Sequence, residues 1–471
     1  MTCPRPARIR CFPLRVLQYF VSGGRPFAIA GVGISAMLGI QACRPAPGPV
    51  APVTLTLIDQ YWSDEESRRL RIEELSQFTN ETGIRVALLP APEAAVEQLV
   101  LWRTLLGKHA AVPDVYAVDV IWPVILADHL LDLKPYVPAP EIAEHLPELI
   151  ANFTVNERLV ALPYYLNTGL LFYRIDLLRT YGYSKPPQTW EELEKAAARI
   201  QAGERARGNK SFWGFVWEGA PSESLTCNAL EWQVSEGGGS IVENGAVTIN
   251  NPQTIRAWTR AARWPGFISP PSVVDYKEWD AFTRWQAGDA AFMRNWSNAY
   301  VSATAEKAPL KGKFAVCPLP RGKAGISGTL GGIGYGVSRY SLHPREAAML
   351  VRFLCSRNQE LRRSQNPTMP PTIPELYDNP SVLAANPYLS DVLKIFPKGI
   401  ALRPSAPTGT KYPDVSLAYF DAVHAVITHK ETAETAAAEL ERDLVQITGF
   451  KAFTKPADRK PVQQAVAGVP Y

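Results

Sequence analysis

The chain has 471 residues, of which 46% are hydrophobic and 20% charged. That is the composition of an ordinary soluble globular protein, and the length suits two or three domains. The formal charge of +4 is set by five arginines before residue 43 (Arg5, Arg8, Arg10, Arg15 and Arg25), and the remainder sums to −1, which excludes any argument for nucleic-acid or polyanion binding from net charge.

The five arginines precede a run, 27–42, nearly free of polar groups. It is shorter than the roughly 20 residues that span a bilayer. Basic stretch, apolar run and small residues together read as a secretory signal over 1–42. The run ends Leu38-Gly39-Ile40-Gln41-Ala42-Cys43, which is similar to a bacterial lipobox. That similarity implies cleavage after Ala42 and lipidation of Cys43; an uncleaved apolar anchor is the alternative. Either way the body lies outside the cytoplasm and is tied to a membrane. The Pro-rich stretch 43–52 forms a semi-rigid tether.

Cys3 and Cys11 leave with the signal, so Cys227, Cys317 and Cys355 are the body's thiols. They are far apart in sequence and are read as buried thiols. The six histidines (His109, His129, His145, His343, His424 and His429) show no close spacing with cysteines. No metal or other cofactor is expected.

Residues 53–59, VTLTLID, alternate as a strand. Ser63 and Glu66 form a capping box, and Leu70, Leu75 and Phe78 give the buried stripe of the helix it opens. A strand over 84–89, a helix over 93–106 and a strand over 114–120 follow. This order predicts a parallel sheet covered by helices. The segment 161–192 then reads as an apolar strand, an aromatic-polar patch from Tyr164 to Gly169, a second strand over 170–173, a short helix and a capped helix start at Thr189.

Beyond it the pattern restarts. Helices are predicted over 189–200, 225–235, from Pro252 with Asn251 as N-cap, 279–286, 344–357 and 432–447. Strands are predicted over 212–217, 290–293 and 330–338, and 313–318 reads as a second crossover. The polar, Pro-bearing stretch 451–471 reads as a flexible tail.

The segment 161–192 resembles the crossover of extracellular solute-binding proteins (family 1) that serve carbohydrate ABC transporters. Further motifs extend the resemblance over about 53–449: VPDVYAVDVIWP (112–123), GFVWEGAPSESLTCNALEW (214–232), AAFMRNWSNAY (290–300), GGIG (331–334) and LRPSAPTGTKYPDVS (402–416). Together they are most similar to trehalose/maltose-binding lipoproteins.

The resemblance implies an α/β, two-lobed periplasmic-binding-protein fold (type II), each lobe a sheet flanked by helices, with the ligand between them. Lobe 1 would comprise 53–165 plus 318–366, and lobe 2 would comprise 166–317 plus 367–450. The chain would cross between them near 162–168, 315–320 and 365–370.

A sugar offers hydroxyls and apolar C–H faces, so its site needs carboxylates, amides, Arg and aromatic faces. The resemblance implies Asp119 as a hydroxyl-binding carboxylate, Tyr165 and Asn167 as crossover contacts, Trp296 as a stacking platform and Arg403 as a clamp. Gly332 would let backbone approach the ligand. Glu218 and Glu223 would add acceptors, with Trp62, Trp217 and Glu65 or Glu66 in second rank. Several have a structural alternative: a loop cap for Asp119, hinge packing for Tyr165 and Asn167 and above all for Tyr164, core packing for the tryptophans and a surface ion pair for Arg403. Asn167 replaces the family's usual aspartate, and Ile333 stands where a Trp often follows the second glycine.

These features imply a lipid-anchored, monomeric, non-enzymatic substrate-binding subunit that takes a di- or oligosaccharide to membrane permeases. An extracytoplasmic glycoside hydrolase and a ligand-presenting sensor of the same fold are the alternatives.

Overall fold

The computed structural model describes residues 53–60, 65–92, 95–392 and 399–453. The expected signal, Cys43, the tether, Trp62, the capping box opened by Ser63 and the tail beyond residue 453 lie outside the described residues.

The parallel unit forms as its pattern predicts. Strand β1 (Thr54–Ile58) leads through α1 (Glu65–Thr82) to β2 (Arg85–Leu89), and α2 (Ala95–Gly107) leads to β3 (Val115–Asp119). β1 pairs in parallel with both β2 and β3. The alternation in β1 puts Leu55 and Leu57 in the core. Asp114 ties β3 to β1 by accepting from the Thr56 amide at 2.8 Å and the Thr56 hydroxyl at 2.7 Å.

The crossover segment differs from the reading of two strands around a polar patch. It is one 13-residue strand, β4 (Leu162–Arg174). The patch runs on as strand because its backbone is paired on either side of an irregularity at Tyr164, where the register against its partner strand shifts. Beyond it come α3 (Trp190–Ala206), β5 (Trp213–Val216), α4 (Glu223–Glu236), α5 (Pro252–Ala262), α6 (Glu278–Gln286), β6 (Ala290–Trp296), β7 (Phe314–Pro318) and β8 (Gly328–Val337). Residues 162–168 of β4 pair with β8, and its second half lies between β6 and β7. The resulting sheet runs β2-β1-β3-β8-β4-β6-β5, with β7 on β4 and Ile400–Ala401 on β8.

β4 therefore serves two buried cores. Leu170 and Phe172 join the core that includes β1 and β3, and Leu171 joins a second core around Trp190, Trp232 and Trp264. Successive side chains of a strand point to opposite faces, which is why one strand can feed both.

Other sequence expectations hold with adjusted ends. Asn251 caps α5 by accepting from the amides of Gln253 and Thr254. The helix expected over 344–357 breaks in two, α7 (Pro344–Leu354) and α8 (Arg357–Ser364), because Ser356 caps the second one by accepting from the Gln359 amide. A helix that was not anticipated, α9 (Tyr412–Ile427), precedes α10 (Ala433–Thr448). Lys451–Ala452 is a strand paired in parallel with Ala246–Val247, so regular structure continues past the expected start of the flexible tail. Cys227, Cys317 and Cys355 are buried, and none is in a disulfide among the described residues, as read from the sequence.

Candidate functional site

The expected site residues come from five elements, and most of them meet around Leu330–Gly332 of β8. Asp119 ends the parallel strand β3, the end of an open α/β sheet where ligands bind. It stands opposite Ile333 of β8, and Ile333 in turn stands opposite Tyr165 of β4. Asp119 accepts from the Ile121 amide at 3.1 Å, and its side chain keeps 23% of its surface exposed. Burial pushes the Asp119 carboxyl above its usual range, against the opposing pull of Arg403 and the Ile121 amide.

Arg403 follows Ile400–Ala401 and is held by two other elements. Nη2 donates to the Leu330 carbonyl at 2.9 Å and Nη1 to Glu223 Oε1 at 2.8 Å. Nη2 also lies 3.8 Å from Asp119, while Nε is buried and has no partner among the described residues. Asp119 and Arg403 thus form a carboxylate-guanidinium pair whose hydrogen-bonding capacity is not exhausted.

One residue further along β8, Gly331 faces Trp296 and Asn167. A Cβ on Gly331 would meet Trp296 Cζ3 at 2.9 Å and Asn167 Cβ at 3.3 Å. Trp296 ends β6 and is half-buried. The Arg294 guanidinium sits 4.4 Å from the centroid of its ring, a cation–π contact on an aromatic platform. Asn167 Oδ1 accepts from the Thr168 amide at 3.1 Å and from the Ser297 amide at 2.9 Å, as well as from the Ser297 hydroxyl. An aspartate there would accept the same bonds; the asparagine adds an amide donor.

Tyr165 is buried and gives its hydroxyl to Gln60. Burial raises its pKa well above the usual phenol value, with Asp119 adding to the effect. Gly332 has a structural reason that its sequence reading did not supply. Its φ is +134°, and a Cβ would collide with the Tyr165 carbonyl. The close approach it permits is to β4.

Glu218 and Glu223 separate. Glu223 keeps 24% of its side-chain surface, whereas Glu218 keeps none. Glu218 accepts from Arg294 Nη1 at 2.6 Å and from Asn228, inside a cluster completed by Glu231 on Arg294 Nε and Nη2. Two carboxylates share one guanidinium there, and burial pushes Glu218 up to about 8. Glu218 is an internal partner of Arg294 in this structure. Trp217 is likewise a core residue, edge-on to Trp232 and bonded to Ser269.

Sequence reasoning missed Gln60, Glu231, Ser297, Tyr412 and Ser416. Tyr412 and Ser416 share a face of α9 and both donate to Glu223. Their four-residue spacing was the available signal, hidden because the helix was not recognised. Among the described residues, no group of three or more His, Cys, Asp or Glu side chains is arranged to hold a metal ion.

Residues 63–359 match the model of the bacterial extracellular solute-binding protein family. The chain belongs to that family. The resemblance drawn from the crossover segment is therefore correct, and the sheet and cores described above are those of its two-lobed α/β fold. The chain is 42% identical to a probable ABC transporter-binding protein of Deinococcus radiodurans over 374 residues, 79% of this chain and 89% of that one. It is similar in structure to maltose-bound MalE3 of T. maritima, at 34% identity and a TM-score of 0.77, over 84% of this chain and 100% of that one. It is also 24% identical to the maltodextrin-binding protein MdxE of Bacillus subtilis, over 69% of this chain and 75% of that protein.

Proposed function

We propose that the protein is the substrate-binding subunit of a sugar ABC importer, anchored by lipid on Cys43 at the outer face of a membrane. It would bind a di- or oligosaccharide, such as maltose or trehalose, between its lobes and deliver it as a monomer to the permease without transforming it. The lobes are taken as 53–165 plus 318–366 and 166–317 plus 367–450.

The single observation that carries this reading is the Asp119–Arg403 pair at 3.8 Å, set at the end of a parallel strand with unspent bonding capacity. A sugar hydroxyl can donate to the carboxylate while accepting from the guanidinium. Trp296 supplies an aromatic face for the sugar's C–H surface, and Asn167 and Tyr165 add polar contacts from the crossover strand. Support also comes from the relatives: maltose for MalE3 of T. maritima and maltodextrin for MdxE.

A thermal-shift panel of maltose, trehalose, sucrose, maltotriose, amino acids and peptides tests the reading. At a hundredfold excess over Kd a ligand stabilises by about 2.7 kcal/mol. Stabilisation by an oligosaccharide, with no product formed on prolonged incubation, is the expected result. Stabilisation by amino acids or peptides alone would sink the sugar assignment, and sustained turnover would favour a glycoside hydrolase.

A further inference from the structure

Glu223 is more fully engaged than a ligand-facing acceptor would be. Its Oε1 accepts from Arg403 Nη1 at 2.8 Å and from the Tyr412 hydroxyl, and its Oε2 accepts from Ser416 Oγ at 2.5 Å. Three donors from two other parts of the chain converge on one carboxylate. That carboxylate belongs to the first residue of α4, where the positive end of the helix dipole favours an anion. Tyr412 is itself buried, with 2% of its surface exposed.

Arg403 shows the complementary pattern. Its side chain is 5% exposed, Nη1 is committed to Glu223 and Nη2 to the Leu330 carbonyl. What is left over is the partnerless Nε and the side of Nη2 that lies 3.8 Å from Asp119. A guanidinium is a rigid planar fork, so fixing two of its nitrogens fixes the direction of the third.

We propose that Glu223, braced by Tyr412 and Ser416, is a positioning residue that sets the guanidinium plane of Arg403 beside Asp119. The ligand's hydroxyls are then read by Arg403 and Asp119, and Glu223 acts on affinity only through Arg403. This rests on the sugar-binding reading above. It also reassigns Glu223, which the sequence alone placed among the direct acceptors.

A double-mutant cycle tests it. Wild type, Glu223→Gln, Arg403→Ala and the double variant are titrated calorimetrically with maltose and with trehalose. Glu223→Gln should weaken binding about tenfold, the loss typical of one charge-assisted hydrogen bond, and the double variant should bind no more weakly than Arg403→Ala alone. Multiplying losses would mean that Glu223 touches the ligand itself and would overturn the proposal. Tyr412→Phe should fall between wild type and Glu223→Gln. Ligand-free crystal structures of Glu223→Gln and Glu223→Ala supply a readout that needs no sugar. The Arg403 guanidinium should leave its place beside Leu330 and Asp119; an unmoved guanidinium would also overturn the proposal. If neither maltose nor trehalose binds wild type, the choice of sugar is what fails, and the crystallographic result still decides the role of Glu223.

Discussion

Arg294 and Arg403 are both buried guanidiniums matched to glutamates, and they differ in how much of the surrounding carboxylate surface is exposed. Arg294 has no exposed side-chain surface, and Nε, Nη1 and Nη2 all donate to Glu231 or Glu218. Arg403 has an unpartnered Nε and stands 3.8 Å from Asp119, a carboxylate that is 23% exposed. The Arg294 cluster still has an acceptor without a partner among the described residues, Glu218 Oε1, but that atom is buried and the cluster exposes no side-chain surface, so it can only hold the structure around it. The Arg403 cluster opens at a strand end through the 23% exposed carboxylate of Asp119, which can bond to something that arrives. The difference separates scaffold from site more sharply than residue type does, since both clusters are Arg with Glu.

The largest test of that contrast is Arg294→Ala. It leaves the Glu231 carboxylate buried without its cation and Glu218 without its donor, and breaking a buried pair in this way costs about 3–5 kcal/mol. Denaturant unfolding should show it. Arg403→Ala should cost about 1–2 kcal/mol in the same measurement, because Glu223 is partly exposed and keeps Tyr412 and Ser416. Equal losses would erase the distinction.

Two neighbouring glycines sharpen it next. Gly332→Ala puts a side chain at φ +134° and against the Tyr165 carbonyl, so about 2–3 kcal/mol of stability should go. Gly331→Ala meets the edge of the Trp296 ring at 2.9 Å. It should displace the ring, lowering sugar affinity several-fold in calorimetry with an unfolding cost under about 1 kcal/mol. If Gly331→Ala leaves affinity unchanged, Trp296 is not part of the binding surface.

The smallest effect is in pH. Glu218 is raised by burial to about 8, so the native state keeps its proton while the unfolded chain has released it. Stability from this group is full below the ordinary glutamate range and is lost as pH rises towards 8. Glu360, raised to about 7 by burial, acts in the same direction up to that pH. His145, lowered by burial to about 4, acts oppositely, but only below about 6.5. Between pH 7 and 8 the melting temperature should therefore fall, by the equivalent of at most about 1.4 kcal/mol, and Glu218→Gln should flatten the fall. A variant with the same slope as wild type would show that Glu218 is already ionised at pH 7.

Much of the fold was legible because its signals are local. The strand-helix alternation through 53–120, the Asn251-Pro252 helix start and the amphipathic stripe after Pro344 each need only neighbouring residues. The crossover misled as a broken strand because Asn167 looks like loop chemistry until Ser297, 130 residues away, is seen donating to it. α9 was missed for a different reason. Val415, Tyr419, Val423 and Val426 carry its buried stripe, but Pro404, Pro407, Gly409 and Pro413 crowd its approach and mask the period.

The candidate site was legible as residue types and less so as roles. Asp119, Trp296 and Arg403 were expected to face one ligand, and the structure brings them to one short stretch of β8. Glu218 and Glu223 looked equivalent in GFVWEGAPSESL, five residues apart. Only the three-dimensional pairing assigns one to Arg294 and the other to Arg403. Gly332 was expected for its approach to a ligand, and the structure adds a close approach to the Tyr165 carbonyl of β4.

The central claim is that the Asp119–Arg403 pair is the unspent half of a sugar site. It is tested most directly by melting wild type and Arg403→Ala, each with and without saturating maltose and, separately, trehalose. At least one of these sugars should raise the melting temperature of wild type far more than that of Arg403→Ala, with the ligand-free variant melting only slightly below ligand-free wild type. An equal rise in both proteins, or a rise in wild type with amino acids or peptides but with neither sugar, would contradict it.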